Sequence, residues 1–171
     1  YAENGNVEHR VYVNDGAGNF APSDLVPRDA SGYEVLLRDF TGDGHLDALL
    51  AMPETQLLVN DGTGELSDSG QELPGSWSVP DVGDVDGDGD VDVVLSTDEG
   101  TELLVNDGEG DLSSGGTFGS VSHRALRLGD LDGDGNPDVF GVGMDGNPNT
   151  VLLGDGAGGF ADAGLRLANP D

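Results

Sequence analysis

The chain has 171 residues, enough for one sizeable domain, and 35% of them are hydrophobic, which suffices for sheets whose cores lie between layers. Its formal net charge of −28 comes from 34 acids against 6 cations, all arginine. That balance excludes nucleic-acid binding, which needs cations to neutralise phosphates, and disfavours anionic membrane surfaces; no apolar run reaches transmembrane length and no cysteine is present.

In chain order, residues 1–28 read as half of a repeating unit, with a strand at Arg10 to Val13, the turn Asn14-Asp15-Gly16, and a further strand after Phe20. Three complete units follow, over 29–73, 74–119 and 120–171. Each opens on an acidic loop: DFTGDGHLD at Asp39 to Asp47, DVDGDGDVD at Asp84 to Asp92, and DLDGDGNPD at Asp130 to Asp138. The first aspartates lie 45 and then 46 residues apart, and the turn N-D-G-x-G keeps the same beat at Asn14, Asn60 and Asn106, with GDGAG at Gly154. Two motifs on one period mean a repeat array, in which each unit needs its neighbours. The second unit reads as four strands, Ser78 to Gly83, Val91 to Ser96, Glu102 to Val105 and Leu112 to Phe118.

The acidic loops have the chemistry of calcium sites. Carboxylates at loop positions 1, 3, 5 and 9 and a carbonyl at 7 supply hard oxygen ligands, while the glycines permit a tight wrap. The assigned ligands are Asp84, Asp86, Asp88 and Asp92 with the carbonyl of Asp90, and Asp130, Asp132, Asp134 and Asp138 with that of Asn136. In the first loop Thr41 replaces one aspartate, leaving Asp39, Asp43 and Asp47 around the carbonyl of His45, and one carboxylate fewer predicts the weakest of three Ca²⁺ sites. An EF-hand is rejected, because its bidentate Glu is replaced by Leu50, Leu95 and Gly141, and the flanking residues read as strands. Asp15, Asp61, Asp107 and Asp155 are read as hairpin-turn residues.

Four short strands per unit make the blade of a β-propeller. The chain resembles the FG-GAP and VCBS repeat family, calcium-loop propellers that include integrin α-subunit heads and some fungal lectins. The resemblance implies an all-β propeller of four-stranded antiparallel blades, with about three and a half blades present. Beginning in mid-blade suggests a segment of a longer chain that completes the ring. Closure by further copies is the other route, since two sets of about fourteen strands match about seven blades.

The ligand carboxylates do not account for the charge: without those eleven, 23 acids still face 6 bases. This profile is that of a halophilic protein, in which molar salt cuts the screening length to about 3 Å. Loops of this kind bind calcium at roughly 10⁻⁵ to 10⁻³ M, which places the protein outside the cell, secreted or at its surface. No nucleophile elbow or triad stands in the sequence, and His9, His45 and His123 fall in different units, so a non-enzymatic role is expected. Candidate ligand residues are Tyr33, Trp77, His123 and Arg124, which precede the acidic loops and suit a glycan or protein partner on the opposite face. The expected function is adhesion or recognition, lectin-like or integrin-like. The alternatives are a structural subunit of a surface layer, filament or virion, and a non-catalytic part of a larger secreted enzyme.

Overall fold

A computed structural model describes residues 11–23, 34–51, 54–76 and 78–167. A hairpin, β1 (Val11–Asn14) and β2 (Phe20–Ser23), precedes three antiparallel four-stranded sheets. The first blade holds β3 (Glu34–Arg38), β4 (Asp47–Ala51), β5 (Gln56–Asn60) and β6 (Leu66–Asp68). The second holds β7 (Asp81–Gly83), β8 (Asp92–Ser96), β9 (Thr101–Asn106) and β10 (Leu112–Phe118). The third holds β11 (His123–Gly129), β12 (Asp138–Gly143), β13 (Asn149–Gly154) and β14 (Phe160–Leu167). Each sheet is a meander in sequence order, and among the described residues no sheet closes on itself, so the architecture is a partial β-propeller. Among the described residues no helix is long and apolar enough to cross a membrane, which says nothing of strand-built barrels.

Strand alternation stacks the blades. Successive side chains of β8 point to opposite faces, so Val93 and Leu95 enter a core with Phe40, Leu49 and Leu57 of the first blade. Val94, between them, enters a second core with Leu126, Val139 and Leu152 of the third. All five residues of β8 are therefore buried, and β8 reads as a continuous apolar run because both of its faces are covered.

In the second blade the largest difference from the sequence expectation is at the first strand. The strand expected from Ser78 begins only at Asp81, because Pro80 has no N–H to give to a ladder. Val79 instead crosses to the third blade as a parallel bridge to Ala125, donating its N–H to the Arg124 carbonyl (2.9 Å) and accepting from the Leu126 N–H (3.0 Å). The strand expected over Leu112 to Phe118 is present as β10, with a register shift between Ser114 and Gly116.

Leu103 is fully buried at the interface of the second and third blades. Leu103→Ala is expected to cost about 3 kcal/mol in urea denaturation. Leu46→Ala, at an exposed position, should change stability by less than about 0.5 kcal/mol.

Candidate functional site: acidic loops and a pocket at the opposite end

Each acidic loop wraps around its own first aspartate. Asp84 accepts the N–H groups of Gly87 (2.8 Å) and Gly89 (3.1 Å), and Asp130 those of Gly133 (2.7 Å) and Gly135 (3.1 Å). Asp39 accepts from Asp43 (3.2 Å) and Gly44 (2.8 Å). Gly87 and Gly89 have φ of 83° and 98°, a left-handed turn that a side chain would strain. Further along, Asp86 accepts from the N–H of Asp88, Asp88 from that of Asp90, Asp132 from Asp134, Asp134 from Asn136, and Asp43 from His45.

The ninth loop residue stands apart, being wholly buried as Asp47, Asp92 and Asp138. Asp92 accepts the Val85 N–H on Oδ2 (2.8 Å) and the Asn106 N–H on Oδ1 (3.0 Å). Asp138 accepts from Leu131 (2.7 Å) and Gly154 (2.9 Å). Asp47 accepts from Phe40 (2.8 Å) and Asn60 (2.8 Å), with Thr41 adding its N–H and, at 3.4 Å, its hydroxyl. In every blade one carboxylate thus ties the loop to the N-D-G or G-D-G turn, an attachment that motif spacing alone did not reveal.

Oxygen atoms of Asp84, Asp86 and Asp88, and likewise of Asp130, Asp132 and Asp138, lie within 4.8 Å of one another. Such a set of hard, anionic donors fits a calcium ion. Among the described residues the first loop forms no comparable group, and its Thr41 is engaged with Asp47. Burial, then repulsion from Asp88, Asp84, Asp107 and Asp86, raises the Asp90 carboxyl above its ordinary value. Burial raises Asp92 as well, against the pull of its two amide partners. The turn aspartates behave differently. Asp15 is lowered chiefly by the Asn19 side chain, Asp61 by the Thr63 hydroxyl, Asp107 by the Glu109 N–H and Asp155 by the Ala157 N–H. These four carboxylates close their own turns, as their sequence context suggests.

The residues expected to bind a ligand lie apart from the loops. Tyr33 and Trp77 fall outside the described residues. Arg124 is exposed on β11. His123 is buried: its Nε2 pairs with the Thr150 hydroxyl at 2.7 Å, its backbone N–H donates to Ser96 Oγ at 2.8 Å, and burial lowers its pKa, favouring the neutral ring. It forms part of the wall of a cavity of about 510 Å³, whose other walls include Ser78, Thr97, Asp98, Glu99 and Ser122. This cavity sits beside the turn from β8 to β9, at the end of the blades opposite the acidic loops. Its carboxylates, Asp98, Glu99 and Glu102, all belong to the second blade, while the third contributes His123, Met144 and, just before β11, the Ser122 hydroxyl. No single stretch of sequence carries a signal for it, although His123 points to the place.

Residues 84–141 match the FG-GAP-like repeat family, so the second and third acidic loops lie within an FG-GAP-like repeat. Comparison with curated proteins gives no match. Among solved structures the chain is similar to a lectin of Agrocybe aegerita that specifically recognises non-reducing terminal N-acetylglucosamine, with 26% identity and a TM-score of 0.59 over 89% of this chain. It is also similar to part of the Tc holotoxin pore of Photorhabdus luminescens, with 24% identity and a TM-score of 0.45, covering 88% of this chain and 8% of that one. The chain spans 44% of the length of the lectin chain.

Because Asp92 is structural whether or not metal is present, Asp92→Ala should destabilise the protein by about 2–3 kcal/mol even in chelator, whereas Asp88→Ala should do so only with calcium. Equal effects of chelator on both variants would contradict this division. An acid whose folded pKa is raised loses stability as pH rises through that value. Asp90→Asn should therefore raise the metal-free melting temperature at pH 7 and flatten its dependence on pH above the ordinary carboxylate value of 3.8.

Proposed function

We propose that this chain is part of a calcium-stabilised recognition propeller that binds a glycan in the cavity between its second and third blades. The observation that carries this reading is the position of the cavity: a polar pocket spanning two blades, in a fold similar to that of a glycan-recognising lectin. Serine and threonine hydroxyls donate and accept, and the carboxylates of Asp98 and Glu99 accept, which suits the hydroxyl and amide groups of a sugar. Glu102 is held in place by Ser114 Oγ and Thr117 Oγ1, both at 2.5 Å, so part of the wall is pre-organised. The buried His123, with its pKa lowered by burial, supports the wall of the cavity through the pairing of its Nε2 with the Thr150 hydroxyl.

Calcium in the acidic loops acts as a stiffener in this reading. The ligands would be Asp84, Asp86 and Asp88 in the second loop and Asp130, Asp132 and Asp138 in the third, with the first loop weaker. The ion supplies positive charge that relieves repulsion among these carboxylates. The net charge of −28 and the absence of lysine support an extracellular setting of high salt.

A glycan array probed in molar salt with millimolar calcium tests the ligand. Saturable binding of terminal amino sugars is expected, with Asp98→Ala at least about tenfold weaker, equivalent to roughly 1.4 kcal/mol. No saturable binding by the folded protein would overturn the glycan reading. Calcium removal is a separate test: at about 100 times its dissociation constant each ion contributes roughly 2.7 kcal/mol, so exhaustive chelation should lower the melting temperature by several degrees per occupied site. A melt indifferent to chelation would remove calcium from the account.

A further inference from the structure

The wall of the cavity uses most of its donor protons internally. Buried Ser76 donates from Oγ to the Ser96 carbonyl at 3.1 Å and so accepts the proton of Ser78 Oγ, 2.9 Å away. Ser122 Oγ donates to the Thr97 carbonyl (3.2 Å), and Thr97 Oγ1 to the Gly100 carbonyl (3.3 Å). Nearby backbone N–H groups are committed as well: that of Ser96 to Ser78 Oγ (3.1 Å), that of Thr97 to the Gly100 carbonyl (2.8 Å) and that of Glu99 to Thr97 Oγ1 (3.2 Å).

Acceptors are what remain for a ligand. Asp98 and Glu99 are exposed at the tip of the β8–β9 turn, which the Thr97 bonds hold in one shape, and Glu102 follows on β9. Among the described residues no arginine lines the cavity, and the chain has no lysine. His123 adds a further acceptor. It is 3% exposed in the same wall, its Nε2 is paired with Thr150 Oγ1, and its Nδ1 is buried without a partner. Gly141 lies against the Cδ2–Nε2 edge of the ring, which leaves Nδ1 on the opposite edge. The tautomer that donates from Nε2 to Thr150 makes Nδ1 a bare lone pair, and a buried lone pair calls for a hydrogen-bond donor. A metal ion does not answer this set: among the described residues the acidic oxygens close enough for one ion belong to the second and third acidic loops, and those of the cavity form no such group. A volume of about 510 Å³ bounded by separate carboxylates suits an organic cation.

We infer that the glycan bound in the cavity carries a free, protonated amine: an unacetylated amino sugar in preference to an N-acetylated or a neutral one. The inference rests on the reading of the cavity as a glycan site. An ammonium brings donors and no acceptor, the complement of a wall of carboxylates and an unpartnered ring nitrogen. Acetylation removes the charge and all but one donor, and adds a carbonyl oxygen that would face acceptors. The ligand class therefore differs from the N-acetylglucosamine recognised by the lectin of similar fold, because the fold supplies the pocket and the wall sets its selectivity.

Calorimetric titration of the 171-residue chain, in calcium and molar salt, with the β-1,4-linked trimers of glucosamine, N-acetylglucosamine and glucose tests it. The glucosamine trimer is expected to bind at least about tenfold tighter than either of the others, a difference of roughly 1.4 kcal/mol. Its affinity should fall as salt rises, over the range in which the circular dichroism spectrum is unchanged, while that of the glucose trimer should not. Asp98→Asn combined with Glu99→Gln, both at exposed positions, should bring the ratio to within about threefold of unity with the fold intact. Equal or tighter binding of the acetylated or the glucose trimer would overturn the inference and leave the glycan reading standing. No saturable binding of any of these trimers would also overturn it, and the glycan array then decides the glycan reading separately. A preference that survives in the double variant would belong to the net charge of −28 rather than to the cavity, and would overturn it equally.

Discussion

A buried carboxylate at the end of each acidic loop is the constraint on which the blades depend. Asp47, Asp92 and Asp138 have no solvent exposure, so each must find its hydrogen bonds within the protein, and each takes amide protons from the start of its loop and from the turn between its third and fourth strands. Anchoring both segments to one side chain fixes where the second loop residue points. Phe40 and Val85 are thereby delivered into the core of the next blade, and the stacking of the array follows from an interaction internal to each repeat.

This arrangement separates two tasks along the blade axis. The end carrying the loops concentrates negative charge, raises the Asp90 carboxyl and brings together aspartate oxygens that match a hard cation. The other end carries a polar cavity whose walls come from two blades. Metal at one end would reach the cavity only through blade packing, because β8 and β9 run from the loops to the cavity rim. In the proposed reading, stiffening the loops would act on the cavity by holding the second and third blades in register.

Much of the array is readable from the residues. The recurrence of the acidic loop, D-x-D-G-D-G in two copies and D-F-T-G-D-G in the first, together with the N-D-G-x-G turn marked the repeat, and apolar alternation marked strands that the structure places within a few residues of expectation. The four turn aspartates were assigned by their context, and their hydrogen bonds show why: each accepts amide protons of its own turn. Position 9 was less transparent. A carboxylate that completes a metal loop and one that accepts two backbone amides look alike in sequence, and only burial distinguishes the second task. Pro80 was a visible strand breaker, yet nothing near it foretold that Val79 would bridge to Ala125, because the partner lies 46 residues away. His123 was singled out for its type and place, and the structure sets it in the cavity wall with its ring committed to Thr150.

By itself the sequence determined the local chemistry: which segments turn, which alternate, and where oxygen donors gather, since all of these depend on neighbours within about ten residues. Tertiary structure decided everything that requires two blades at once. It chose which face of β8 meets which neighbour, assembled the cavity from separate repeats, and left Leu131 exposed while burying Phe40 and Val85 at equivalent positions. Three apolar residues in the same motif position differ in burial for one physical reason: a hydrophobic side chain leaves water only where another surface arrives to cover it.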